Sequence, residues 1–516
     1  MTPAHAALER VPAWAAWLLC AAAGGLVPLS FAPFNLWPLA LLSLTAFALL
    51  LHRQPGRTAW WRALGFGLGL YGMGVSWIYV SIHTHGNASA PLAGLMTALF
   101  VAFVALVFSL PFYVYGRWFS RRRYGSLLAF PALYLLGEWL RGWLLTGFPW
   151  LYLGYGHLDT WLAGWAPLLG VMGLSLIVVL TAGLGAHWLL DGKGFLQERR
   201  GRPTLLLTAV ILALWPLGLA LQLVDWTEPR GEPVRVGMIQ PNIPQERKWD
   251  PNFVEPTLER LETLSEDLWQ NDWLIWPEAA IPRVYHTMTP FLEEIGDRAD
   301  ATDTGMISGI IFQNEQTGDY YNSLVTLGAA EGIYHKRRLV PFGEYVPMER
   351  WLRGLIDFFD LPTSIISRGP WEQEGLQIGD VGISPSVCYE VVYPDLVARS
   401  ARDSQVLLTV SNDAWFADSI GPLQHMQMAR MRALETGRPM IRSTNNGISA
   451  LVDPRGQILA RADQFVQTNL EGEVQPRSGL TPFMRWGSHP LALLSGLVLV
   501  GLALGFKREL TNETYE

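Results

Sequence analysis

Hydrophobic residues fill the N-terminal 40% of the chain in blocks far longer than a soluble helix or strand requires. None of Asp, Glu, Lys or Arg occurs between Arg10 and Arg53, between Arg62 and Arg117, or between Asp159 and Asp191. A membrane-spanning helix needs about 20 mostly apolar residues, and these blocks divide into several such lengths. The 42-residue run after Arg10 is interrupted between Pro28 and Pro38, which predicts spans over 11–28 and 36–52. The next run divides at Ser81-Ile-His-Thr-His-Gly-Asn87 into spans over 63–80 and 90–115. Further spans are expected over 126–146, 161–190, 204–224 and 489–506, eight in all. The first lacks a clear small-x-small cleavage site with a polar region after it, so it reads as a retained span rather than a signal peptide.

From about residue 228 the pattern shortens. Val234–Ile239, Leu274–Trp276, Met306–Ile311 and Val406–Val410 are strand-like apolar runs, and the polar stretches Phe253–Gln270 and Gln424–Thr436 are helix-prone. Strands alternating with helices predict a layered α/β domain. Pro and Gly cluster at Glu228–Pro233 and between Pro476 and Pro490. The expected organisation is therefore seven transmembrane helices over 1–227, an α/β domain over 228–485, and a last transmembrane helix with a tail over 486–516.

Composition agrees with this division. Charged residues make up 16% of the chain and hydrophobic ones 50%, against about 25% charged in a typical soluble domain. That hydrophobicity excludes disorder, and a net charge of −7 carries no nucleic-acid signal. The basic residues are more telling. Arg10; Arg53, Arg57 and Arg62; Arg117 and Arg121–Arg123; Lys193, Arg199, Arg200 and Arg202; and Lys507 with Arg508 make fourteen on alternate sides of successive spans. The short intervening loops 29–35, 81–89 and 147–160 hold none. Basic residues stay on the cytoplasmic side, so both termini are expected there and residues 225–488 outside.

Two features within the apolar region need weighing. Glu138 and Arg141 lie three residues apart on one helical face. Intramembrane charges are costly and often functional, so the pair reads either as self-neutralising or as a lipid-binding site with Arg141 on a phosphate. Gly67-Leu-Gly-Leu-Tyr-Gly72 matches a dinucleotide fingerprint but follows no strand. Close helix packing through small residues is the better reading.

The chain has two cysteines, Cys20 in the first span and Cys388 in the α/β domain, too far apart in the expected topology to pair. Cys388 ends the strand-like run Gly382–Cys388, and strand ends are where α/β folds place their chemistry. A nucleophilic thiol needs a base, a nearby cation and donors for the oxyanion. His335 and His425 are the first candidates for the base, but neither sits in a telling pattern. Glu278 follows the strand-like Leu274–Trp276, and the Tyr334–Glu344 segment supplies Lys336 and Glu344. Taken singly, each of these charges reads as surface.

Together, and in the order Glu, Lys, Cys, they resemble the nitrilase superfamily of carbon–nitrogen hydrolases. Lys248-Trp-Asp250, Trp276-Pro-Glu278, Leu339–Pro347, Cys388-Tyr-Glu390, Ser411–Phe416, Gln427–Glu435 and Arg442–Gly447 narrow the resemblance, over essentially the whole chain, to the apolipoprotein N-acyltransferases within it. One departure is Ala417, where glycine is expected after Trp415-Phe416. The resemblance implies an αββα sandwich of the nitrilase type, with Cys388 as nucleophile, Glu278 as general base and Lys336 as oxyanion stabiliser. Glu344, Glu390, Tyr389, Trp249, Asn412 and Trp415 are implied as supporting residues. It further implies a bacterial inner-membrane enzyme with its catalytic domain in the periplasm. Such an enzyme moves an acyl chain from a phospholipid, typically phosphatidylethanolamine, through a cysteine thioester to the α-amine of a diacylglyceryl-modified apolipoprotein. No metal or other cofactor is expected, since the chain shows no HExxH, paired CxxC or Walker pattern. An alternative with the same triad is a membrane-anchored amidase using water as acceptor. A transporter would account for the spans but leaves the triad without a role. The apolar segment Trp351–Phe359 is a candidate lid or lipid-dipping loop.

Overall fold

The computed structural model describes residues 10–86, 88–191, 201–346 and 365–513. It separates into two compact units. One takes the described residues of Met1–Ser76, Leu95–Val224 and Trp486–Glu516, the other those of Trp77–Gly94 and Asp225–Arg485. The candidate lid Trp351–Phe359 and the basic residues Lys193, Arg199 and Arg200 lie outside the described residues.

The first unit is helical. Among the described residues, Ala13–Ser30, Ala90–Phe119, Trp161–Leu190 and Arg202–Leu221 are long and apolar enough to cross a membrane. Pro38–Leu51 and His489–Gly505 are apolar but shorter, and the helix Phe130–Arg141 has 12 residues. The expected span over 63–80 is broken. Gly56–Gly74 and Trp77–His85 meet at a bend of 54°, and the expected loop over 81–89 begins as a π-helix, Ser81–His85. The bend separates the two units in sequence, since residues from Trp77 cluster with the α/β unit.

Gly67, Gly69 and Gly72 sit within the Gly56–Gly74 helix, and the first two pack closely. A Cβ added at Gly69 would stand 1.9 Å from the Ala21 carbonyl oxygen, and one at Gly24 would stand 1.9 Å from that of Phe66. The Ala13–Leu26 and Gly56–Gly74 helices thus touch backbone to backbone, which only small residues allow.

Glu138 and Arg141 are 2% and 4% exposed. Arg141 donates through Nη1 to the carbonyls of Phe148 and Trp150, and its guanidinium lies 5.3 Å and 4.9 Å from the ring centres of Tyr71 and Tyr152. Glu138 Oε1 accepts from the Leu153 amide at 3.0 Å. These protein partners account for much of the hydrogen-bonding capacity of the pair. A guanidinium turned onto backbone carbonyls and rings inside the unit closes the 148–153 loop over the helix end.

Among the described residues, the second unit holds two seven-stranded sheets. In spatial order one runs Thr468–Val474, Val234–Gln240, Trp273–Ile275, Gly305–Gln313, Tyr320–Gly328 and Ile333–His335, with Ile281–Val284 also beside Gly305–Gln313. The other runs Ile458–Arg461, Ala450–Val452, Met440–Thr444, Val406–Ser411, Val381–Val387, Leu376–Ile378 and Ala330–Glu331. Alternation along each strand sorts its side chains between two faces. Val236, Met238, Trp273, Ile275 and Ile307 of the first sheet share one core with Ile383, Val387, Val406, Leu408 and Val410 of the second. Ile239, Leu274, Trp276, Met306 and Ile310 point the other way. There they meet Leu258 and Leu261 of the Val254–Ser265 helix and Leu292, Ile295 and Ala299 of the Thr289–Ala301 helix. The Gly421–Thr436 helix packs on the second sheet at Met440–Thr444. The central pairings Val234–Gln240 with Trp273–Ile275 and Val381–Val387 with Val406–Ser411 are parallel. Strand ends carrying polar residues are thereby collected on one rim.

Candidate active site

Glu278, Lys336 and Cys388 each follow a strand of that rim: Trp273–Ile275, Ile333–His335 and Val381–Val387. The turn after Trp276 is tight, with Ala279 at φ 44°. It lies so close to the neighbouring strand that a Cβ on Gly309 would come within 2.4 Å of the Pro277 carbonyl oxygen. Glycine at 309 is what lets Glu278 lean over the sheet.

The structure brings the three side chains together. Lys336, 1% exposed, donates through Nζ to Glu344 Oε1 at 2.8 Å and lies 3.4 Å from Glu278 Oε1. Burial alone would lower its pKa, but the facing charges of Glu344, Glu278 and Cys388 outweigh that and hold the ammonium above its ordinary range. Glu278 is fixed at both oxygens. Oε1 accepts from Asn322 Nδ2 at 2.8 Å, and Oε2 accepts from the Asn412 backbone amide at 2.7 Å. Asn322 Nδ2 also reaches Glu344 Oε1 at 3.0 Å, and Glu344 Oε2 accepts from the Val340 amide at 2.9 Å. One ammonium and one amide thus hold two carboxylates in register.

Cys388 keeps a partly exposed position at φ 52°. Burial of its thiol and the Glu278 charge push its pKa well up, while Lys336 and the neighbouring Ser411 side chain pull it down. Attack by the thiol requires that its proton leave for a neighbouring base.

The supporting candidates divide. Glu390, fully buried, accepts at Oε2 from the Val387 amide at 2.8 Å and from the Tyr334 hydroxyl at 2.9 Å. At Oε1 it accepts from the Arg337 amide at 2.7 Å. Burial raises its pKa against these donors. Asn412 joins Glu278 to Gln245 Oε1 at 2.7 Å, and Tyr389 packs edge-on to Tyr393. Trp415 lies further out. Its carbonyl accepts from the Ser81 hydroxyl at 2.7 Å, and its ring meets His85. Trp249 is half-buried beside Lys248 in the chain.

Sequence reading missed two site residues. Lys248, 4% exposed, donates to the Glu278 carbonyl at 3.0 Å. Burial lowers its pKa to about 8 against the opposing pull of Glu278 and Cys388. Asn322 is the amide that bridges the carboxylates. Lys248 stands in the Lys248-Trp-Asp250 motif, which was the available signal, whereas Asn322 lies mid-strand with no spacing to mark it. Neither histidine takes the base position. His335 shares its Nδ1 with the Ser323 hydroxyl at 2.7 Å, and His425 sets Nε2 against the Cys388 carbonyl. Ala417, where glycine was expected, takes φ 43°, a conformation that suits glycine better than alanine.

Comparison with known proteins fits this geometry. Residues 23–184 match the model of the apolipoprotein N-acyltransferase N-terminal domain, and residues 235–481 match the carbon–nitrogen hydrolase model. An apolipoprotein N-acyltransferase of Pseudomonas syringae pv. tomato is 48% identical over 501 residues, covering 96% of this chain and 97% of its own. One from Pseudomonas aeruginosa is 46% identical over 499 residues, 96% of either chain. One from Coxiella burnetii is 39% identical over 493 residues, 95% of this chain and 99% of its own. Among solved structures, Saccharomyces cerevisiae Nit3, of branch 10 of the nitrilase superfamily, aligns at TM-score 0.37 and 17% identity with 48% of this chain and 91% of its own. With relatives this similar along nearly their full length, the chain belongs to the apolipoprotein N-acyltransferase family, acyltransferases whose C-terminal domain has the carbon–nitrogen hydrolase fold.

Proposed function

We propose that this enzyme transfers an acyl chain from a phospholipid, in the first instance phosphatidylethanolamine, to the α-amine of an N-terminal diacylglyceryl-cysteine on apolipoproteins. The observation that carries the reading is the convergence of Glu278 and Lys336 at a strand-end Cys388 in a chain of this family. Glu278 takes the thiol proton as Cys388 Sγ attacks the ester carbonyl, and Lys336 steadies the oxyanion. Collapse of the tetrahedral intermediate breaks the ester C–O bond, and Glu278 returns the proton to the departing lysophospholipid. The lipoprotein amine then attacks the thioester, its proton passing to Glu278, and the C–S bond breaks to free Cys388. Glu344 and Asn322 keep Lys336 and Glu278 in register, and Glu390 holds the turn that presents Cys388. Trp249, Tyr389, Asn412 and Trp415 shape the surround.

Both substrates are lipids, and each CH₂ moved into water costs about 0.8 kcal/mol, so the site opens at a membrane surface. The fourteen-to-none distribution of basic residues supports eight spans in a bacterial inner membrane, with seven before and one after a periplasmic sandwich of helix, sheet, sheet and helix over 228–485.

Incubating the purified enzyme with phosphatidylethanolamine alone tests the covalent step. The expected result is a hydroxylamine-labile acyl group on Cys388, absent in Cys388→Ala and reduced about 10²–10⁴-fold in Glu278→Gln. A robust acyl-enzyme in Glu278→Gln would move the base elsewhere, and full turnover by Cys388→Ala would remove the thioester. Release of free fatty acid with no N-acylated peptide, once a diacylglyceryl-peptide is added, would favour the amidase reading.

A further inference from the structure

A buried charged network lies beside the nucleophile. Arg442, on the Met440–Thr444 strand, donates through Nη2 to Asp413 Oδ2 at 2.7 Å. The Ser411 hydroxyl donates to Asp413 Oδ1 at 2.5 Å. His425, on the Gly421–Thr436 helix, sets Nδ1 3.1 Å from Asp413 Oδ1 and 3.1 Å from Arg442 Nη2. Its other nitrogen, Nε2, lies 3.2 Å from the carbonyl oxygen of Cys388. Asp413, His425 and Arg442 are all 1% exposed or less. Burial would raise the Asp413 carboxyl, but Arg442 and His425 hold it far below the usual carboxylate range.

The chemistry of the partners fixes where the histidine proton sits. A carbonyl oxygen only accepts, so Nε2 must carry hydrogen. With Nε2–H in place, a neutral ring takes Arg442 as donor at Nδ1, and a charged ring donates Nδ1–H to Asp413. The donor aimed at Cys388 is present in both. The remaining tautomer would set two lone pairs against each other at the Cys388 carbonyl.

We propose that His425 is a positioning residue, held by Asp413 and Arg442, that pins the Cys388–Tyr389 peptide and so sets the aim of the nucleophile. Cys388 has φ 52°, a region that strains a non-glycine residue and persists only where surrounding bonds over-determine it. Glu390 secures the chain before Cys388 through the Val387 amide, and His425 secures it after, through the Cys388 carbonyl. Because the peptide unit is planar, holding that carbonyl also fixes the direction of the Tyr389 N–H on the opposite edge of the plane. The role explains why a histidine that sequence reading offered as a base touches the nucleophile's backbone instead.

The inference rests on Cys388 being the acylated residue, and the experiment separates the two claims. Full-length wild type and the variants His425→Gln, His425→Asn and His425→Ala are compared in phosphatidylethanolamine-containing micelles for single-turnover thioester formation, its pH profile, and alkylation of Cys388 by iodoacetamide. Glutamine places an N–H near the Nε2 position, whereas asparagine and alanine do not reach. Misplacement of a reacting group by about 1 Å costs about 10²-fold. The expected result is loss of that order in the acylation rate for alanine and asparagine, with the KM for phospholipid little changed. Glutamine should recover most of the rate and keep the wild-type pH profile. Iodoacetamide alkylation, which needs no aligned ester, keeps the altered variants within the assay as long as they elute as folded protein. Glutamine performing no better than alanine would overturn the proposal, as would an alanine variant acylating at the wild-type rate. Loss of the acidic limb of the pH profile in glutamine would also overturn it, by making His425 the base. Absence of any acyl group on wild-type Cys388 would instead sink the thioester mechanism.

Discussion

Lys248 shows how a single buried charge adjusts the site. Its pKa falls from the ordinary 10.5 to about 8, chiefly through burial, a difference of about 3 kcal/mol between its charged and neutral forms. The folded state therefore binds fewer protons than the unfolded chain between pH 8 and 10.5. From this group stability rises with pH across that window, and below it the burial penalty is constant. Lys248→Met should raise the unfolding midpoint of the detergent-solubilised enzyme at pH 7. The gap from wild type should close as pH climbs towards 10. A midpoint that falls at pH 7 would mean that the bond to the Glu278 carbonyl outweighs the desolvation. Glu278, Lys336 and Cys388 could be read from sequence because each follows a strand-like run and their order matches a family. Lys248, Asn322 and His425 act through contacts with residues 30, 44 and 37 positions away, and no local pattern marks such partners.

Helices and strands were legible to the extent that their periodicity was. Val234–Gln240 and Val406–Ser411 stand out as short apolar runs, and both are strands of the folded sheets. Hydropathy, by contrast, does not reveal a kink, so the run over 63–80 looks continuous although its helix bends by 54° after Gly74. Helix contact in the apolar unit depends on which glycines face a neighbour, and this yields a prediction of opposite signs. A Cβ at Gly69 would meet the Ala21 carbonyl at 1.9 Å, whereas one at Gly72 meets nothing within 4 Å. Gly69→Ala should lose about 1–3 kcal/mol through overpacking. Gly72→Ala should hold or gain stability, since alanine favours a helix interior by about 0.5–1 kcal/mol. Thermal unfolding of the two variants in one detergent checks both. Equal midpoints would refute backbone contact at Gly69.

At the scale of the entire chain, the prediction concerns sidedness. Fourteen basic residues on alternate ends of the apolar segments predict, by the positive-inside bias, both termini in the cytoplasm and the α/β unit outside. Reporters fused after residue 240 should be active only in the exported compartment, and those fused near residue 120 only in the cytoplasm. Cytoplasmic activity after residue 240 would reject the span count and, with it, access of Cys388 to lipid in the outer leaflet.

The long apolar helices, the change to an α/β unit near residue 228 and the strand-end placement of Glu278, Lys336 and Cys388 were all readable in the linear chain. Each depends on local composition or on short motifs, and hydrophobic length, strand period and residue order do not need a partner to be recognised. What the chain did not disclose depends on pairs distant in sequence. The Arg141 guanidinium turns to the carbonyls of Phe148 and Trp150, and His425 reaches the backbone carbonyl of Cys388. A buried polar group must find a partner wherever the fold supplies one. Its role is therefore chosen by which strands and helices end beside it, a matter of packing that linear order leaves open.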